Sequence, residues 1–152
     1  MIEPAFVRVG LRAADWEDAL RQLSAELQSA GHVTSDHAQA VVDRELRYPT
    51  GLPGERYGVA IPHADPEYTA LAGIGVATLA EPVSFRMMGD ADEEVAVSVV
   101  VMLALQDAEA QLAMLRQLAE LIADGDRLAD IAQATGPDDI RAVLSAIDEE
   151  QS

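Results

Sequence analysis

The sequence predicts an α/β domain: a single mixed β-sheet of about five strands flanked by helices. Three observations carry this. The stretch Val95 to Leu105 is apolar on both faces and broken only by Ser98, as a central strand covered on both sides requires. Several segments place apolar residues three and four apart, the helical spacing. The segments follow one another as β-α-α-β-(short α or loop)-β-β-β-α-α-α, which is neither a strict βαβ alternation nor a repeat.

The elements follow in order. "AFVRVGL" alternates as an opening strand, with Val7, Val9 and Leu11 on one side. "DWEDALRQLSAELQSAG" carries Trp16, Leu20, Leu23 and Leu27 on one helical face, with Asp15 as N-cap or first-turn acid and Gly31 as the stop. A second helix from about Ser35 to Arg47 turns Ala38, Val41, Val42 and Leu46 inward. "YPTGLPGERYG" is dense in proline and glycine and is expected to be a loop. The strand "YGVAIP" follows, then "GIGVATL", then a short strand "PVSF" after a break at Pro82, and an acidic turn "GDADEE". Beyond the apolar strand come three helices. The first has Leu112, Leu115, Leu118 and Ile122 on its stripe. "DRLADIAQA" is short. The last opens on Pro137 and buries Ile140, Val143, Leu144 and Ile147. The tail "DEEQS" is expected to fray.

With 152 residues, about half of them apolar, the chain is expected to be one domain over 1–152 with its core in about 6–148. It has no cysteine, which excludes disulfides, thiolate metal sites and a cysteine nucleophile. No apolar run is long enough to span a membrane, and the N-terminus has no signal-peptide pattern, so a cytoplasmic protein is expected. The formal net charge of −17 repels phosphate backbones and argues against nucleic acid. It would draw in a basic protein partner, or serve solubility alone.

The chemistry centres on "GVAIPHADPE". His63 stands where a strand ends, behind Pro62, which fixes its own φ and holds Ile61 extended. Three uses fit a histidine there. It could attack an electrophile through one ring nitrogen while the other keeps its proton on a fixed acceptor. If the electrophile is a phosphoryl group, an arginine should meet its charge, and Arg44, Arg47 and Arg56 all lie shortly upstream. It could bind metal with Asp65 and Glu67, which alternate with it, although a catalytic zinc usually takes two or three imidazoles. Or it could be a structural histidine bonded to backbone. His32 and His37 are taken as structural surface residues near a helix start. Met87, Met88 and Met114 fill core or rim. "GLPGERYG" matches no nucleotide-loop spacing.

The stretch "DREL…PTGLPGERYGVAIPHAD" resembles the signature of enzyme IIA domains of the fructose/mannitol type, from the bacterial phosphoenolpyruvate-dependent sugar phosphotransferase system. An Arg-Glu pair ends a helix, a Pro-Thr-Gly loop follows, and a strand finishes in Ala-Ile-Pro-His. "EPVSFRMMGDADEEVAVSVVVMLALQDAEAQLAMLRQLAELI" is similar to the family's second block, so the likeness spans roughly residues 6 to 148. It implies that His63 is phosphorylated by the carrier HPr, on Nε2, and passes the group to a IIB subunit. The sugar is phosphorylated as it crosses a IIC membrane subunit. It implies that Arg44 stabilises the phosphate, with Glu45 beside it, and that Glu55 matches an acid before the strand. Family members often carry a second histidine at the start of the Leu-rich helix; here Gln111 takes that place, which leaves a neutral hydrogen bond to phosphate. The wording is most like the galactitol-type branch. No cofactor or metal is implied. A regulatory IIA-like protein, which signals by its phosphorylation state, and a non-phosphorylated binding module with the same fold are the alternatives.

Overall fold

The structure is a computed structural model that describes residues 4–151, and the side chains of residues 4–145. Its elements are β1 (Phe6–Leu11), α1 (Trp16–Ser29), α2 (His37–Arg47), β2 (Gly51–Leu52), β3 (Gly58–Ala60), a 3-10 turn (Pro66–Tyr68), β4 (Gly73–Met87), β5 (Asp90–Ala104), α3 (Ala108–Ala123), α4 (Gly125–Ala132) and α5 (Pro137–Gln151). They form the mixed sheet with flanking helices that the sequence predicts.

The pattern of β5 explains the architecture. Val99, Val101 and Leu103 face one core, together with Leu118, Leu121, Leu128, Ile131, Ile140 and Leu144 of the last three helices. Val100, Met102 and Ala104 face the other, with Leu20, Leu23 and Leu27 of α1 and Val41 and Val42 of α2. Successive side chains of a strand point to opposite faces, so a strand covered by helices on both sides must be apolar throughout. β1 lies parallel on β4, β4 runs antiparallel to β5, and β3 runs parallel to β5. The two-residue β2 pairs antiparallel with β3 and touches the far end of β4 through Gly51 and Met87.

The strands are five in number but not in the predicted places. "GIGVATL" and "PVSF" are one strand, because the chain continues through Pro82 with a register shift between Thr78 and Val83. Proline lacks an amide donor, and a sheet tolerates it at such an irregularity. The predicted acidic turn is mostly the start of β5: β4 and β5 form a hairpin that turns at Met88 and Gly89, with Gly89 at φ 80°. Part of the predicted loop is β2.

The helix signals are present. Asp15 Oδ1 accepts from the Asp18 amide at 2.8 Å, and Gly31 adopts φ 84° after α1. Asp107 caps α3 by accepting from the Ala110 amide at 2.7 Å. Three inward faces need correction. On β1, Val7 and Val9 face the core of the last three helices, but Leu11 packs in the opposite core, because the pairing with β4 shifts register between Arg8 and Leu11. Leu46 is 47% exposed, because its neighbour Glu45 takes the buried position near the end of α2. Leu112 is also exposed, and Leu121 joins Leu118 on the buried face of α3. The "DEEQS" tail continues α5 as far as Gln151, and Ile147 lies outside the described side chains.

Candidate functional site

The strand β3 delivers His63 to the edge of the sheet. Beyond Ala60 the chain stays extended, and the Leu103 amide donates to the Pro62 carbonyl at 3.0 Å, which ties the segment to the end of β5. His63 is 7% exposed and lines a cavity of about 480 Å³. Arg44 and Arg47 from α2, Thr50, Met88 at the hairpin turn and Leu115 from α3 line it too.

His63 Nδ1 lies 2.9 Å from the Ile61 carbonyl oxygen. A carbonyl can only accept, so Nδ1 carries the proton, and the neutral ring keeps its lone pair on Nε2. Among the described residues Nε2 has no hydrogen-bond partner. Burial holds the imidazole below its ordinary pKa; the Ile61 carbonyl works against this, Arg44 adds to it, and Asp65 opposes it. The net direction favours the uncharged ring, the form that can attack.

Arg44 stands beside this histidine with capacity to spare. Its Nη1 is 3.4 Å from Asp65 Oδ1, a long contact, and its guanidinium carbon lies 5.3 Å from the centre of the Tyr48 ring. Its Nε is buried without a hydrogen-bond partner among the described residues. A buried guanidinium nitrogen left without an acceptor fits a place for an anion.

Behind the cavity lies a buried polar chain. Both oxygens of Glu45 accept from Thr50: Oε2 from the amide at 2.7 Å and Oε1 from the hydroxyl at 2.8 Å. Thr50 Oγ1 in turn accepts from the Ile61 amide at 3.2 Å. Burial raises the Glu45 pKa, while the two Thr50 bonds and Arg44 lower it.

Of the residues singled out in the sequence, His63 and Arg44 come together at the cavity, and Glu45 lies behind Thr50. Glu55 does not join them: it is exposed in the β2–β3 connection, facing Gly125 at the start of α4. Gln111 is half-buried in the first turn of α3 and does not line the cavity; the α3 residue that does is Leu115. Arg56 sits 5.5 Å from the Tyr57 ring centre. Asp65, weighed above as a metal ligand, faces Arg44, and among the described residues no group of three His, Asp or Glu side chains is placed to hold a metal. Thr50 lies in the Pro-Thr-Gly stretch that carries the family resemblance, but the sequence assigns it no role. A small hydroxyl residue between Pro49 and Gly51 was the available signal.

The other histidines also differ. His37 is no surface residue: it is 1% exposed between α1 and α2, with Nδ1 2.8 Å from Ser24 Oγ and Nε2 buried without a partner among the described residues. His32 is half-buried, with Nδ1 2.9 Å from the Leu71 carbonyl.

A family model described as phosphoenolpyruvate-dependent sugar phosphotransferase system, EIIA 2, matches residues 1–147. The galactitol-specific EIIA component of Escherichia coli K12 is 33% identical over 113 residues, which cover 74% of this chain and 75% of that protein. Among solved structures, IIA mannitol from Escherichia coli superposes with a TM-score of 0.74 at 23% identity, covering 91% of this chain and 94% of that one. The complex of that organism's mannitol enzyme IIA with phosphorylated enzyme IIB gives 0.73 at 23% identity, covering 92% and 94%. At that identity the two structures bear on the fold, while the family model and the galactitol relative carry the assignment. The chain therefore belongs to the EIIA type 2 family of the phosphoenolpyruvate-dependent sugar phosphotransferase system.

Proposed function

We propose that the protein is a phosphocarrier of sugar uptake that takes a phosphoryl group on Nε2 of His63. The lone pair of Nε2 forms the new N–P bond as the bond to the donor's ring nitrogen breaks, and that electron pair returns to the donor. The donor is the phosphohistidine of HPr. A IIB subunit is the acceptor, and a IIC membrane subunit takes part only downstream of it. The observation that carries this reading is the state of the ring: Nδ1 is occupied by the Ile61 carbonyl, and Nε2, beside Arg44, has no hydrogen-bond partner among the described residues. Such transfer asks mainly for in-line placement and charge stabilisation. Arg44 supplies the charge through Nε and its Nη groups as the phosphoryl oxygens arrive. Membership of the family and the likeness to a galactitol-specific component support the same reading and favour a galactitol-like substrate for the pathway.

The test is incubation with enzyme I, HPr and phosphoenolpyruvate, followed by intact mass. A gain of one acid-labile phosphoryl group, absent in His63→Ala, is the expected result. An unchanged mass in the wild-type protein overturns the reading. Subsequent loss of that group to a IIB partner distinguishes a transport component from one that signals by its phosphorylation state.

A further inference from the structure

We propose that Thr50, held by Glu45, is a positioning residue: its hydroxyl fixes the backbone of Ile61, and the Ile61 carbonyl then sets the tautomer and aim of His63. The kinetic part of this proposal rests on the phosphocarrier reading; the tautomer part does not.

With Glu45 ionised, the polarity of the contacts leaves one arrangement. The Ile61 amide can only donate, so Thr50 Oγ1 accepts from it. The single hydroxyl proton then goes to Glu45 Oε1, and the Thr50 amide donates to Oε2. Both oxygens of the anion act as acceptors, and the Thr50 hydroxyl proton has a partner only in that form. All three residues are buried, at 5% exposure for Glu45 and 3% each for Thr50 and Ile61, so water has little room to replace a lost partner.

The position of Thr50 in the sheet gives the reason for a hydroxyl there. Backbone pairing between β2 and β3 ends at Gly51 and Ala60. The next residue outward on each strand is Thr50 and Ile61, and the Thr50 side chain takes over where the backbone ladder stops. Pro62 has no amide, and its carbonyl is held by Leu103. Ile61 is thus fixed on one side by Thr50 and on the other by β5, with its own carbonyl free to hold His63 Nδ1. The effect is geometric. The Ile61 amide and carbonyl belong to different peptide planes, so no proton moves along the chain.

The experiment compares Thr50→Val, which keeps shape and removes the hydroxyl, with Thr50→Ser, which restores it, in the full chain. Nitrogen chemical shifts of the histidine rings at pH 8 report the His63 tautomer. The wild-type ring is expected as the Nδ1–H form. In Thr50→Val the Nε2–H form should rise several-fold, and kcat for phosphoacceptance should fall about tenfold with KM for the donor unchanged. Thr50→Ser should return both to within about twofold of wild type. A folded Thr50→Val with the wild-type tautomer overturns the proposal, as does a Thr50→Ser that behaves like Thr50→Val. Should Thr50→Val not fold, the wild-type protein decides: a slowly exchanging Thr50 hydroxyl proton close to the Ile61 amide is expected, and its absence overturns the proposal. A wild-type protein that accepts no phosphate sinks the carrier reading and leaves the tautomer result standing.

Discussion

Arg44 and Asp65 meet at 3.4 Å, Nη1 to Oδ1, and they pull the pKa of His63 in opposite directions. Arg44 disfavours the imidazolium and Asp65 favours it. Removing each should therefore move the ring's titration in opposite senses. Asp65→Asn is expected to lower the His63 pKa further, and Arg44→Ala to raise it. Titration followed by NMR on the His63 ring measures both. A shift in the same direction for the two variants would mean that neither charge acts as placed here.

Arg44 also separates function from stability. Its pairing with Asp65 is long and partly exposed, its stacking partner Tyr48 is exposed, and its charge is the last-ranked of the influences on the buried Glu45, so Arg44→Ala should cost about 1 kcal/mol of folding free energy. Removing a group that meets developing charge typically costs about a hundredfold in rate. Arg44→Ala is thus expected to slow phosphorylation by about that factor with only this small loss of denaturant stability. Arg44→Lys should recover only part of the rate, because an ammonium cannot reproduce the planar fork. Single-turnover phosphorylation beside a urea titration checks both halves.

Much of this was legible in the sequence where the cause is local. From Val99 to Ala104 every residue of β5 is apolar, as a doubly covered strand needs, so its place at the centre follows from the residues alone. In the Ala-Ile-Pro-His run Pro62 keeps Ile61 extended, so a histidine standing at a strand end is legible from the local sequence. What escaped depends on distant partners. β2 is two residues long and exists because β3 and the end of β4 flank it. The burial of His37 depends on Ser24, thirteen positions away and on another helix. Thr50 acts through Glu45 and Ile61, which no periodicity connects. Glu55 and Gln111 had plausible spacing, but the turns of the chain carry them away from the cavity.

Gly51 shows how a short strand shapes the site. A Cβ there would lie 2.6 Å from the Arg86 carbonyl oxygen, a backbone atom that cannot rotate away. The Gly51 carbonyl also accepts from the Met88 amide at 2.8 Å, which fixes the hairpin turn beside the cavity. Gly51→Ala should push β2 from β4, at a cost of about 1–3 kcal/mol. Because Thr50 precedes it and Met88 faces it, phosphorylation should slow as well. The two effects are read from the urea midpoint and from single-turnover rates of the folded variant. Unaltered stability would show that β2 has more room than its contacts indicate.

His37 gives the fold a dependence on acid that is separate from the site. Burial between α1 and α2 lowers its pKa from 6.5 to about 4. Between these values the unfolded chain binds a proton that the folded chain does not, so stability is complete above about pH 6.5 and is lost as pH falls toward about 4. From pH 7 to pH 5 the loss from this residue is about 2 kcal/mol. His63, also lowered, acts in the same sense. Glu45, raised above 4.5, acts in the opposite one: its contribution is present below that value and declines as pH rises through its folded pKa. His37→Leu alone would strand the Ser24 hydroxyl, so the informative variant is His37→Leu with Ser24→Ala, which removes both partners of the buried bond. Urea titrations at pH 7 and pH 5 should show the wild-type protein losing roughly 2 kcal/mol more than this double variant. Equal losses in the two proteins would place the acid sensitivity outside the α1–α2 interface.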